Sequence, residues 1–255
     1  MNTKRNAQTQ RVVIWLAIGL FCTAPASRAQ HPPVTAQVEI VPGKGNTQAA
    51  STGHAPDASN VAVWLVPADE ATRRAATKPP SRPQPQLVQK NKSFEPHVVI
   101  VEAGSPVGFP NQDPFFHNVF SLFDGKRFDL GLYEAGSSKS VRFDRPGVSF
   151  LFCNIHPEMS AVVVAVETPF YSLSDRSGHL AIPDVPNGHY QVRVWYERGV
   201  AEDLNGLARS VVIDDSSRSL GRIQVAANPD FKFAHKNKYG QDYVPPAGNP
   251  GYSRP

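Results

Sequence analysis

Sulfur is scarce in this chain of 255 residues, which has two cysteines and two methionines. One of each, Met1 and Cys22, lies in the first thirty positions, so the remainder carries a single thiol, Cys153, and a single thioether, Met159. A disulfide framework is thereby excluded for that remainder. Helical periodicity is nearly absent as well, so a helical bundle is excluded. Long apolar runs are missing too: the stretch Val12 to Cys22 is too short to span a bilayer comfortably.

That short run fits a secretory leader over residues 1–29. Lys4, Arg5 and Arg11 precede it, and Ser27-Arg28-Ala29 supplies small residues where a signal peptidase reads. Phe21 is too bulky for the lipidation signal that Cys22 would otherwise suggest, so cleavage after Ala29 is expected, with a periplasmic or secreted product and no membrane span. Of the 26 basic residues four lie in the leader, leaving 22 against 22 acidic ones and a net charge of zero. The chain's formal +4 is therefore no sign of a nucleic-acid partner or an anionic membrane.

What is present instead is β signal: short Val, Ile, Phe and Tyr runs between turn residues. Strands are expected at Val34–Val41 and Val61–Val66, within an N-terminal segment 30–67. A Pro-rich linker covers 68–86, where a helical turn near Glu70–Ala76 would be stopped by Pro79. Residues 87–167 hold closely spaced strands, residues 168–226 a second strand set, and 227–255 a tail either disordered or laid along the surface. The fold class expected is all-β.

A lone thiol in an oxidising compartment is a liability unless something occupies it. Cys153-Asn154-Ile155-His156-Pro157-Glu158-Met159 places that thiol, an imidazole and the thioether in one short loop. Each taken alone has a plain reading: a buried Cys is usually a small hydrophobe, and His117 amid Phe115, Phe116 and Phe120 suits a core histidine. Jointly they point to a metal. Thiolate, two imidazoles and a weak thioether form the donor set of an electron-transferring copper site, whereas structural zinc wants four strong donors. His117, before an expected strand, is the candidate second imidazole.

These residues carry a family resemblance. The stretch from Val98 to Val166 resembles the cupredoxins, the plastocyanin and amicyanin class, in Phe109-Pro110-Asn111-Gln112-Asp113, His117-Asn118-Val119 and the Cys153-x-x-His156-x-x-Met159 loop. The resemblance implies a Greek-key β-sandwich and one copper, cycling between Cu(I) and Cu(II), on His117, Cys153, His156 and Met159. It also implies His156 as the electron port, the Asn118 side chain tying the two ligand loops together, and redox partner proteins as donor and acceptor. Asn154-Ile155 and Glu158 depart from the amicyanin pattern, and Glu158 sets a charge beside the docking surface.

Ser174-Asp175-Arg176-Ser177-Gly178-His179-Leu180 and Asp184-Val185-Pro186-Asn187-Gly188-His189-Tyr190-Gln191-Val192 resemble the carboxypeptidase regulatory-like, transthyretin-type β-sandwich. That resemblance implies a second sandwich opened by Val34–Val41 and Val61–Val66, with the cupredoxin inserted into it; otherwise Trp64 contacts residues 98–166 rather than those around Trp195. The combination resembles exported methylamine-utilisation-like and plastocyanin-like proteins. The remaining histidines (His31, His54, His97, His179, His189, His235) form no His-x-His pair of the kind that builds catalytic copper centres, and Asp113 and Glu134 read as solvated loop carboxylates, so no enzyme is expected. Lys236-Asn237-Lys238-Tyr239 reads as a charged tail. The function expected is one-electron transport; the alternatives are a copper carrier or buffer, and a non-redox binding protein with a structural metal.

Overall fold

A computed structural model describes residues 31–43, 56–76, 83–122, 125–228, 231 and 235–243. The expected leader, His54, most of the loop 43–60 and most of the tail lie outside the described residues. These fold as β, with sixteen strands and two short helices among them.

The N-terminal segment supplies β1 (Val34–Pro42), β2 (Ala62–Pro67) and helix α1 (Glu70–Ala75). Within residues 68–76, at the start of the expected linker, the expected helical turn forms as α1, mostly exposed and anchored through buried Thr72. The Asp69 side chain caps α1 by accepting the Thr72 N–H at 2.7 Å, and buried Thr72 accepts the His189 N–H at 2.9 Å. Next come β3 (Val88–Lys90), β4 (Ser93–Glu95), β5 (Val98–Glu102), β6 (Ser105–Pro110), β7 (His117–Ser121), β8 (Phe128–Tyr133), β9 (Ser138–Phe143), β10 (Gly147–Cys153) and β11 (Ser160–Val166). After these follow β12 (Tyr171–Leu173), β13 (His179–Ile182), β14 (Gly188–Trp195), helix α2 (Ala201–Gly206), β15 (Arg209–Ile213) and β16 (Ser219–Ala227).

The central sheet has the order β5-β11-β10-β7-β8, parallel between β5 and β11 and antiparallel elsewhere. Alternate residues of its strands enter two different cores, as the two-residue repeat of a strand requires. Val99, Val101, Leu151, Cys153, Ala161, Val163 and Ala165 pack inward with Phe109 and Phe143 of the β6-β9 pair. Val98, Ile100, Val162, Val164 and Val166 face the other way, against Ala62, Trp64, Tyr171, Leu173 and Trp195. A sheet covered on both faces explains the unbroken apolar runs at 98–101 and 161–166.

The second sandwich faces β13-β1-β16 against β12-β2-β14-β15, with Val38, Leu65, Tyr190 and Ile223 in one shared core. β1 pairs antiparallel with β13 and parallel with β16, while β2 pairs with β12 and β14. The chain leaves this sandwich after β2 and re-enters at β12. Gly178 shows how tightly the entry to β13 is built: its φ is +85°, and a Cβ there would lie 2.1 Å from the Val38 carbonyl oxygen. Trp64 does not choose between the two neighbourhoods that the sequence set against each other. Its backbone pairs with Tyr171 and Arg193, and its ring joins the cluster that holds both Trp195 and residues of 98–166. Strand pairing and the direction of a side chain are independent, so the two contacts coexist.

The sandwiches are also joined by an ion pair. His97 Nε2 lies 2.8 Å from Glu197 Oε2, and His97 Nδ1 lies 3.1 Å from the Ser160 carbonyl oxygen. Both ring nitrogens face acceptors, so only the imidazolium satisfies both. The Glu197 hydrogen bond raises His97 above its ordinary 6.5 despite opposing burial. A raised folded value means that this contribution is fully present below pH 6.5 and is lost as pH rises through the folded value. Urea unfolding of the full chain across that window should show a falling component, and His97→Gln should flatten it; an unchanged pH slope in the variant would refute the assignment.

Candidate metal centre

His117 opens β7, Cys153 closes β10, and His156 and Met159 lie in the loop that leads to β11. Antiparallel pairing of Cys153 with Val119 brings the two strand ends together. The loop is short and tied to itself: Cys153 N–H donates to the Met159 carbonyl at 3.2 Å, and Met159 N–H to that of His156 at 3.1 Å. Asn154 N–H donates across to the Asn118 carbonyl at 3.1 Å.

Three donor atoms converge as a result. Cys153 Sγ stands 3.6 Å from His117 Nδ1 and 3.5 Å from His156 Nδ1, and the two imidazole nitrogens are 3.2 Å apart. Ligand atoms about 2.0–2.3 Å from one ion, at angles between about 100° and 120°, stand roughly 3.1–4.0 Å from one another, so these spacings fit a single metal ion. The ligating atoms of His117, Cys153 and His156 all lie within 4.8 Å, the one such group of His, Cys, Asp or Glu among the described residues. Met159 is wholly buried in the same core cluster as Cys153.

Hydrogen bonds around the donors favour ligation. His117 is fully buried, and its Nε2–H donates to Asp113 Oδ2 at 2.8 Å, which leaves Nδ1 unprotonated and aimed at the cluster. Asp113 also accepts the N–H groups of Asn91 at 2.6 Å and Lys92 at 3.0 Å. Burial opposes its charge, yet these bonds hold it below the usual carboxylate range. His156 is half-buried; desolvation, then the nearby His117 and Lys92, lower its pKa and keep it neutral as a ligand must be. Burial pushes the Cys153 thiol up, against the opposing influence of the nearby Asn118, Ile155 and His156 main chain. A cation held by His117, Cys153 and His156 would supply the missing positive charge and favour the thiolate form of Cys153. Phe115 covers the pair of imidazoles, its ring centroid 5.3 Å from His117 and 5.5 Å from His156.

Two readings of the sequence need correction. Asp113 is a buried partner of His117 rather than a solvated loop carboxylate, whereas Glu134 is exposed. The Asn118 side chain does not bridge the ligand loops: its Nδ2 donates to Asp129 Oδ1 at 2.6 Å, its Oδ1 is buried without a partner, and its main chain makes the tie instead. The sequence did contain a signal for Asp113, since Asn111 two residues earlier accepts the Asp113 N–H and holds the Phe115 carbonyl, a side-chain-built turn.

Comparison with solved structures finds cupredoxins over about a third of the chain. A purple cupredoxin from Nitrosopumilus maritimus is 21% identical over 32% of this chain and 100% of its own, with a TM-score of 0.30. The Cu(I) form of an amicyanin variant is 19% identical over 32% and 82%, with a TM-score of 0.31. A copper-containing nitrite reductase from Thermus scotoductus is 22% identical over 40% of this chain and 27% of its own, at 0.32. These matches give no support to the carboxypeptidase regulatory-like or the methylamine-utilisation-like resemblance. No family model and no curated protein matches. Scores this low carry no weight for activity, which rests on the residues themselves.

Asp113→Ala should destabilise the metal-free protein by about 1–3 kcal/mol at neutral pH, because buried donors lose their acceptor. A lowered folded pKa means that the Asp113 contribution is present above its ordinary 3.8 and lost as pH falls through the folded value. Urea titrations of both proteins should therefore converge on acidification below 3.8; equal stability at neutral pH would contradict the assignment.

Proposed function

We propose that this protein is an exported one-electron carrier holding a single copper ion on His117, Cys153 and His156, with Met159 as a weak fourth donor. The observation that carries the reading is the convergence of one thiolate-forming sulfur and two imidazole nitrogens at 3.2–3.6 Å. A soft thiolate with two imidazoles selects copper, which supplies a Cu(I)/Cu(II) couple in such a donor set.

The protein's part is to hold the donors still and to keep water away. His117 and Cys153 stand on strand ends whose sheet is packed on both faces, and Asp113 locks the His117 tautomer. A ligand set that does not rearrange between oxidation states has a low barrier to electron exchange. With His117 and Cys153 buried and Phe115 over the imidazoles, only the half-exposed His156 leads outward, which favours transfer through its edge over binding of a substrate. We therefore assign no enzymatic reaction. Exposed Phe116 and Ile155 near this edge suit contact with donor and acceptor proteins, with Glu158 adding charge. The leader over 1–29 supports export, and no helix among the described residues is long and apolar enough to cross a membrane.

Metal-free protein titrated with Cu(II) should take up one equivalent and become intensely coloured through a thiolate-to-copper band, with reversible voltammetry. Cys153→Ser should abolish the colour, and Met159→Leu should keep it while shifting the potential. A wild-type protein that remains colourless, or that gives up copper rapidly to a chelator, would point to a carrier or a structural site instead.

A further inference from the structure

The C-terminal segment 235–243 does not trail into solvent. Asn237 folds it into a compact loop: the Asn237 side-chain oxygen accepts the N–H groups of Tyr239 at 2.9 Å and Gln241 at 3.0 Å, and Gly240 N–H reaches the Asn237 carbonyl at 2.9 Å. This loop lies on the ligand loop at successive points. Tyr243 Oη–H donates to the Cys153 carbonyl at 2.8 Å, Lys238 N–H to Asn154 Oδ1 at 3.0 Å, and His235 Nε2–H to the Pro157 carbonyl at 2.7 Å. The His235 ring stacks on Phe152 at 4.0 Å and 21°, and the Tyr243 ring meets it edge-on at 5.2 Å.

Lys238 also completes a closed circuit. Its Nζ contacts Asp129 Oδ2 at 2.7 Å, Asp129 Oδ1 accepts from Asn118 Nδ2, the Asn118 carbonyl accepts Asn154 N–H, and Asn154 Oδ1 accepts Lys238 N–H. Four residues from β7, β8, the ligand loop and the C-terminal segment thus hold one another. The circuit does what the Asn118 side chain alone was expected to do. We propose that segment 235–243 is a brace of the metal centre and that Tyr243 is a positioning residue for Cys153.

The chemistry follows from one peptide unit. The link between Cys153 and Asn154 has its N–H fixed by the Asn118 carbonyl and its carbonyl fixed by Tyr243. That unit joins the thiol-bearing residue to the ligand loop, so its tilt sets where the Cys153 sulfur stands relative to the His117 and His156 nitrogens, 3.6 and 3.5 Å away. Outer hydrogen bonds that orient ligands tune the affinity of a site and the potential of the ion it binds. Without the Tyr243 hydroxyl the carbonyl loses its partner and the peptide is free to tilt.

This inference rests on the copper reading, so its test has a metal-free arm and a copper arm. Tyr243→Phe keeps the ring and removes the one hydrogen bond; Lys238→Met opens the circuit, and Lys238→Arg restores it. In the metal-free full-length protein, hydrogen exchange at the Asn154 and Met159 amides should quicken by about 3–10-fold in Tyr243→Phe and Lys238→Met, the size expected for one lost hydrogen bond, and return in Lys238→Arg. In the copper arm the EPR hyperfine splitting and the potential of Tyr243→Phe should move while unfolding stability elsewhere is kept. Unchanged exchange in both variants, or quickened exchange with superimposable spectra, overturns the positioning role. Quickened exchange in a wild-type background that never colours with Cu(II) supports the brace and removes the copper reading instead.

Discussion

The constraint from which the rest follows is that β5, β11 and β10 are packed on both faces. Inward residues build one core with β6 and β9, and outward residues lie against Trp64, Tyr171 and Trp195 of the second sandwich. Strands of this kind cannot slip by one residue without exchanging their two sets of side chains. The register that sets Cys153 opposite Val119 is thereby fixed, and with it the meeting of Cys153 and His117. The second sandwich is thus more than an appendage, because it covers the back of the sheet whose end carries the thiol.

Around the three donors the polar atoms divide the work. Asp113 settles which nitrogen of His117 is free, and main-chain bonds from Cys153 to Met159 and from Asn154 to Asn118 hold the ligand loop. The Asp129, Lys238 and Asn154 side chains hold the loop from outside. Buried polar groups of this kind are costly unless satisfied, so the site is rigid because nearly every member has a partner. The Asn118 side-chain oxygen is the exception among them.

The sequence revealed the all-β class and the ligand loop because those signals are local: alternation within a strand, and three donor types within seven positions. His117 was legible through its position before an expected strand, although its aromatic surroundings suit a core histidine equally well. β8 leaves little trace in the sequence because Asp129 and Gly131 interrupt its apolar pattern; Gly131 has φ +65° there, and the Asp129 side chain serves Asn118 and Lys238. Helix α2 is too short for its period to show, and β4 spans only Ser93–Glu95. Asp113, Glu197 and the segment 235–243 escaped because their roles depend on residues that are distant in sequence, such as Asn91, His97 and Cys153. Composition alone makes such residues look like solvated charge.

The strands β2 and β12 lie side by side, yet the whole sandwich that carries His117, Cys153 and His156 is threaded between them. The order of assembly is therefore constrained. β1 and β2 leave the synthesis machinery first but find their hydrogen-bonding partners only in β12 to β16, after closing a loop of more than a hundred residues, which is slow. The sandwich threaded between β2 and β12 has its strand partners within one continuous stretch and needs no such wait. It is the natural nucleus of the molecule, on which the flanking halves of the other sandwich then close like a clasp.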